Sequence, residues 1–274
     1  MAEGIPAEQI PAAVHRSGHG EPLLLLHGVL LTWQSWGAVL DDLAADHTLL
    51  APTLPGHFGG PEAAHPVTVG SLIDHCERLL DESGWETAHI AGNSLGGWIA
   101  LELAARGRAR SCTAIAPAGF WRTPAASEAL LRKFRAFGPI LGIGPGHRPA
   151  VPSLVRSLLV PLLAHRPADV PNTLAKAMAE AVTRCDIAED LAADPGLSTG
   201  FTTLESLSTP TTVLLPAYDR VLPAHLYSEL TATPTVEIRH LPDLGHVPML
   251  EAPDLITAEI RATIARAPAP AQSS

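Results

Sequence analysis

The chain has 274 residues, with 18 Lys and Arg against 28 Asp and Glu, a formal net charge of −10. That balance argues against a nucleic-acid partner, and Cys76, Cys112 and Cys185, an odd and scattered set without C-x-x-C spacing, argue against a disulfide framework or a zinc site. No apolar run has the length a signal peptide or a bilayer span needs, so the expectation is a cytoplasmic protein with no membrane contact and no bound metal.

In chain order, the first ten residues look loosely ordered, Ala12 to Arg16 reads as an early strand, and Leu23 to Leu26 is an apolar run too short for a helix and suited to a buried strand. His27-Gly28-Val29-Leu30 follows, and Trp33, Trp36, Val39, Leu40 and Leu43 then recur at helical intervals with Asp41 and Asp42 opposite. A strand is expected at Thr48 to Ala51. Next come a Pro- and Gly-punctuated loop, Pro52 to Pro61, and an amphipathic helix marked by Val69, Leu72, Ile73, Cys76, Leu79 and Leu80 that stops at Gly84. Thr87 to Ala91 and Cys112 to Ala116 read as strands flanking a helix that carries Leu95, Ile99, Ala100, Leu103 and Ala104. Short apolar strands alternating with helices predict a mostly parallel sheet covered on both faces.

From about Phe120 to Leu207 the alternation stops and the sequence reads as inserted helices. Ser127 suits an N-cap before Leu130, Leu131, Phe134 and Phe137, and Gly138-Pro139 suits a stop. Gly138 to Pro152 reads as a flexible connector. Pro152 opens a second helix whose stripe, Leu154, Val155, Leu158, Leu159, Leu162 and Leu163, should be kinked by Pro161, and a third helix covers Asn172 to Arg184. Strands resume at Thr211 to Leu215 and Val236 to Leu241, Leu255 to Ala265 closes as a helix, and residues 268–274 read as a disordered tail. The predicted division is a core of residues 1–119 and 208–267 with an insertion at 120–207.

The stretch Ala91-Gly92-Asn93-Ser94-Leu95-Gly96-Gly97 sits where an apolar strand ends and a helix begins, the context that a G-x-S-x-G nucleophile elbow requires. Glycines on either side permit a tight turn that lifts Ser94 clear of the sheet and puts the Leu95 N–H where it can donate to an oxyanion. A serine hydroxyl needs a base and an orienting acid. Asp219 follows the strand Thr211 to Leu215 and His246 follows Val236 to Leu241, so both fall on the sheet edge that carries Ser94, in the chain order Ser, Asp, His.

With these residues the chain resembles an α/β-hydrolase with a helical cap, over nearly its whole length. Leu23-Leu24-Leu25-Leu26-His27-Gly28, the elbow, the Asp219 loop and Gly245-His246-Val247-Pro248 resemble the family's oxyanion, nucleophile, acid and base motifs. The resemblance implies that the Val29 N–H is the second oxyanion donor, with Leu30 as the fallback, that His27 braces this loop, and that 120–207 caps the pocket. It also sets Ser94 apart from members with an elbow aspartate, which form alkyl-enzyme esters. The expected activity is hydrolysis of a carboxylic ester or lactone through an acyl-Ser94 intermediate, with a small acyl substrate and water as partners and no cofactor. Candidate pocket residues are Leu30, Trp98, Trp121, Leu158, Leu159 and Val247.

Rival expectations are a carbon–carbon bond hydrolase of ring-opened diketones, which Asn93 resembles although Val29-Leu30-Leu31-Thr32 and Val247 depart from that branch, a biosynthetic acyltransferase or thioesterase, and a small-molecule receptor on the same fold. Asp243 competes with Asp219 as the acid, His57 reads as an ordinary loop histidine, and Trp98 and Trp121 read equally as core. The basic residues Arg122, Arg132, Lys133, Arg135, Arg148, Arg156 and Arg166 suggest an anionic substrate, yet Arg132, Lys133 and Arg135 suit a solvated helix face better.

Overall fold

The computed structural model describes residues 11–121, 123, 125–129, 131–132 and 152–268. Its centre is a seven-stranded sheet of β1 (Val14–Gly18), β2 (Glu21–Leu26), β3 (His47–Pro52), β4 (Ala88–Asn93), β5 (Ala109–Ile115), β6 (Thr211–Pro216) and β7 (Val236–Leu241), in the order β1-β3-β2-β4-β5-β6-β7. Only β1 runs antiparallel, against β3. Both faces of the inner strands are covered, which is why β2 reads as an unbroken leucine run and not as alternation: Leu23, Leu24, Leu25 and Leu26 are all fully buried. Strand order reverses between β2 and β4, so the loops leaving those two strands open side by side at the carboxyl edge, the place where doubly wound sheets hold ligands.

The helices of the sheet are α1 (Leu40–Ala44), α2 (Val69–Glu82), α3 (Leu95–Ala105) and, at the end of the chain, α8 (Pro253–Ile264). α2 opens with a reciprocal capping box between Thr68 and Ser71 and buries Val69, Leu72, Ile73, Cys76, Leu79 and Leu80, the stripe read from the sequence. The helical spacing from Trp33 to Leu43 resolves into two pieces, a 3₁₀ turn at Trp33–Trp36 and the short α1, with Gly37 between them.

Between β5 and β6 the described chain is helical, with a stretch over 125–129 and 131–132, then α4 (Pro152–Leu163), α5 (Asn172–Val182), α6 (Ala188–Ala193) and α7 (Pro195–Thr199). Ser127 is buried inside the first stretch and is not its N-cap; the Thr123 hydroxyl accepts the Ala126 N–H at 3.3 Å instead. The expected stripe residues Leu130, Phe134 and Phe137, the Gly138-Pro139 stop, most of the Gly138 to Pro152 connector, the side chains of Leu154 and Val155, residues 1–10 and residues 269–274 lie outside the described residues. α4 runs through Pro161, but its buried face is Leu159, Val160 and Leu163, while Leu158 is 38% exposed. At about 100° per residue Leu159, Leu163 and Val160 share one face, and Leu158 falls roughly 150° from its centre, on the outer side. Among the described residues no helix is long and apolar enough to cross a membrane.

Candidate active site

Ser94 stands between β4 and α3 with φ 56° and ψ −116°, a backbone conformation that an L-residue adopts only when its surroundings impose it. The surroundings are close on every side. The Ser94 N–H donates to the Ile115 carbonyl at 2.9 Å, and its own carbonyl accepts from Trp98 and Ala118 at 3.1 and 3.0 Å. A Cβ on Gly92 would lie 2.0 Å from the Gly96 carbonyl oxygen, and one on Gly96 would lie 2.2 Å from that of Leu26. The two glycines therefore permit strand, turn and helix to meet at backbone contact, and the N-terminus of α3 opens directly after Ser94.

The loop leaving β2 lies against the elbow, since a Cβ on Gly28 would be 3.1 Å from that of Ser94. His27 is fully buried beneath it. The Leu54 N–H donates to His27 Nε2 at 2.9 Å, so the ring proton sits on Nδ1 and is donated to the Gly28 carbonyl at 2.8 Å. Burial, then the neighbouring His57, holds the His27 ring well below the usual histidine range, so it braces the loop as a neutral group. Leu30 has φ 69°, and its N–H reaches the thiol of Cys185. Val29, before it in the same loop, is partly buried, and the Leu31 N–H closes the turn on the Gly28 carbonyl at 3.2 Å.

Asp219 and His246 come from the loops after β6 and β7. His246 Nδ1 meets Asp219 Oδ2 at 2.6 Å with both side chains buried, and Asp219 Oδ1 accepts the N–H groups of Val221 and Leu222 at 2.8 and 2.7 Å. The carboxylate is thus fixed by its own loop before it meets the ring, and Asp243 plays no part in the pair. Asn93, next to Ser94, donates to the carbonyls of His246 at 2.9 Å and Ile115 at 3.2 Å, which links the elbow to the histidine loop. Its Oδ1 is buried without a partner among the described atoms. Tyr227, which the sequence reading passed over, donates to the Pro117 carbonyl behind the elbow at 2.9 Å; a partner 110 residues away leaves no local signal.

Other expectations divide. Val247 is fully buried and donates its N–H to the Leu163 carbonyl at 2.8 Å. Trp98 and Trp121 are buried and packed edge to face at 5.5 Å, with their indole N–H groups donated to Glu102 and to the Leu197 carbonyl, so they join α3 to α7. Leu158 faces away from the interior and does not belong to a buried pocket, whereas Leu159 is 4% exposed. His57 is not a surface loop residue: it is 3% exposed, its ring stands 4.8 Å from that of His27, and burial pushes it down to about 4.

Of the basic residues, Arg122, Lys133, Arg135 and Arg148 lie outside the described residues. Arg132 is exposed beside Glu128, Arg156 donates to Asn172, and Arg166 pairs with Asp169. Arg184, not singled out by the sequence, lies with its guanidinium 4.6 Å above the Phe58 ring and has Nη1 buried without a partner among the described atoms. Its neighbour Cys185 is the residue whose thiol touches the Leu30 N–H.

A profile of the Alpha/beta hydrolase family matches residues 23–259. The chain belongs to that family. It is 39% identical over 201 residues, 70% of this chain and 93% of the relative, to a protein of Mycobacterium tuberculosis named epoxide hydrolase EphH. It is 36% identical over 107 residues, 37% of this chain and 38% of the relative, to a 2-hydroxymuconate semialdehyde hydrolase of a Pseudomonas species. Among solved structures, a thermophilic esterase from Thermogutta terrifontis shares the fold with a TM-score of 0.73 at 23% identity, covering 93% of each chain. The protein is an enzyme of the hydrolase class, with the seven-stranded, mostly parallel sheet of that fold.

Proposed function

We propose that the protein is a serine hydrolase that cleaves a carboxylic ester or lactone through an acyl-Ser94 intermediate. The observation that carries this reading is the strained elbow of Ser94 on the same sheet edge as the buried His246–Asp219 pair. In this mechanism His246, its Nδ1 proton held by Asp219, takes the Ser94 proton at Nε2 as the hydroxyl attacks the acyl carbon. The N–H groups of Leu95 and Val29 receive the oxyanion. His246 then protonates the leaving alcohol, and water, deprotonated by the same ring, releases the acid. Opening an epoxide suits this serine less well, because the resulting alkyl ether has no carbonyl for water to attack. Residues 120–207 act as a cap, with Leu159, Leu30 and Val247 contributing the apolar wall, and neither cofactor nor metal takes part.

A second reading, hydrolysis of a carbon–carbon bond in an anionic, ring-opened diketone, draws support from Asn93 beside the nucleophile and from Arg184 above Phe58, whose buried Nη1 has no partner among the described atoms. One experiment separates the two: a panel of neutral p-nitrophenyl esters, lactones and a diketone carboxylate, followed by mass spectrometry of the intact enzyme. The first reading expects steady release of p-nitrophenol and an acyl adduct on Ser94. Turnover of the diketone alone would replace it with the second, and binding without any turnover would sink both.

A further inference from the structure

Around the candidate base, the segment that leaves α4 is fastened to both loops that supply the His246–Asp219 pair. On the acid side, Arg220 donates to the Pro161 carbonyl, and the His165 ring stacks on Tyr218 at 3.7 Å and 16°. On the base side, Val247 donates to the Leu163 carbonyl, and Arg166 donates to that of Asp243 at 2.9 Å. One side chain gathers these contacts. Glu251, half-buried and five residues after His246, accepts the N–H of Gly245 at 2.8 Å and of His165 at 2.9 Å on Oε2, and the N–H of Arg166 at 2.7 Å on Oε1. Three backbone donors on one carboxylate are charge-assisted bonds, stronger than neutral ones and directional. Only glycine fits at position 245 in this arrangement, because a Cβ there would lie 2.5 Å from the His165 nitrogen.

The geometry points to Glu251 as a positioning residue: it sets where His246 stands relative to Ser94 by clamping the residue before it to the end of α4. This rests on the serine-hydrolase reading for its kinetic effect but not for its structural one. The bond from Gly245 fixes the chain one residue before His246, and the bonds from His165 and Arg166 fix the inserted helix to the same two oxygens. A shift of the inserted segment therefore reaches the base through this carboxylate, beside the Val247–Leu163 and Arg166–Asp243 bonds, and of these links the carboxylate is the one that holds the residue directly before His246. Misplacing a general base by about 1 Å lowers turnover by up to ~10²-fold while leaving substrate affinity largely alone.

The test compares the full-length parent with Glu251→Gln and Glu251→Ala. Gln keeps one carbonyl oxygen able to accept Gly245 and His165 but turns an amide group toward Arg166, whereas Ala removes every acceptor. On p-nitrophenyl acetate kcat should fall about tenfold for Gln and up to ~10²-fold for Ala, with KM changed less than threefold. In the same samples the low-field proton resonance of His246 Nδ1–H, identified by its absence in His246→Gln, should broaden in the order parent, Gln, Ala. Variants that lose thermal stability yet keep the parent's kcat per folded molecule and a sharp resonance would overturn the proposal. Should Ala fail to fold, Gln alone decides by the same two readouts. Should the parent turn over no ester faster than Ser94→Ala, the hydrolase reading falls, and the resonance still decides the role of Glu251.

Discussion

His57 offers a quantitative handle on the site's supporting layer. In the folded chain burial pushes this ring down to about 4 from an ordinary 6.5, against the opposing pull of the Pro55 and Leu54 carbonyls. Below pH 6.5 the unfolded chain takes up a proton there that the folded chain refuses, so stability rises with pH across this window. The contribution is fully present above 6.5 and is lost as pH falls through about 4. At ~1.36 kcal/mol for each pH unit of the gap, the whole effect is about 3 kcal/mol, of which about 2 kcal/mol falls between pH 7 and pH 5. For a chain of this size that share corresponds to roughly 4–8 °C of thermal midpoint. Replacing the ring by His57→Gln removes the titration, so the drop in midpoint from pH 7 to pH 5, followed by circular dichroism, should shrink by that amount. His27, held low by burial as well, keeps part of the parent's slope in the variant. Comparing slopes avoids the separate loss that a smaller side chain causes at every pH. Equal slopes in parent and variant would refute the assignment of this window to His57.

Ser94→Ala and His246→Ala should each lower kcat on a p-nitrophenyl ester by as much as ~10⁶, and Asp219→Asn by roughly 10⁴, since members of such a unit do not act independently. A crippled Asp243→Asn beside a near-silent Asp219→Asn would reverse the assignment of the acid. In α4, Leu159→Ala should cost about 2–4 kcal/mol in urea unfolding, while Leu158→Ala, on the exposed side, should stay within about 0.5 kcal/mol and leave substrate ranking unchanged. Gly96→Ala should abolish the native elbow, because its Cβ would fall 2.2 Å from the Leu26 carbonyl oxygen; soluble protein with parental kcat would show that the strand and helix can move apart. Arg184→Gln should leave neutral p-nitrophenyl esters unaffected and weaken kcat/KM selectively for substrates that bear a carboxylate, as measured by competition between the two.

What the sequence by itself determined was set by local pattern. The strands appeared within two or three residues of their expected positions because a sheet covered on both faces writes itself as short apolar runs, and α2 because its stripe repeats with the helical period. The elbow was legible for a steric reason: only glycine fits where the backbones of Gly92, Gly96 and Leu26 touch. The positions of Asp219 and His246 followed from topology, since loops after parallel strands open on one edge. Tertiary structure alone decided what depended on partners distant in the chain. Leu158 and Leu159 are equally apolar, and only the packing direction of α4 sends one outward and the other in. His57 looked like a loop histidine because proline and glycine mark a loop without saying whether other elements cover it. Glu251 and Tyr227 act on backbone N–H and carbonyl groups, which every residue possesses, so no residue type at any spacing could have announced them, and Asn93, noted in the sequence beside Ser94, gained its bond to the His246 carbonyl only in the fold.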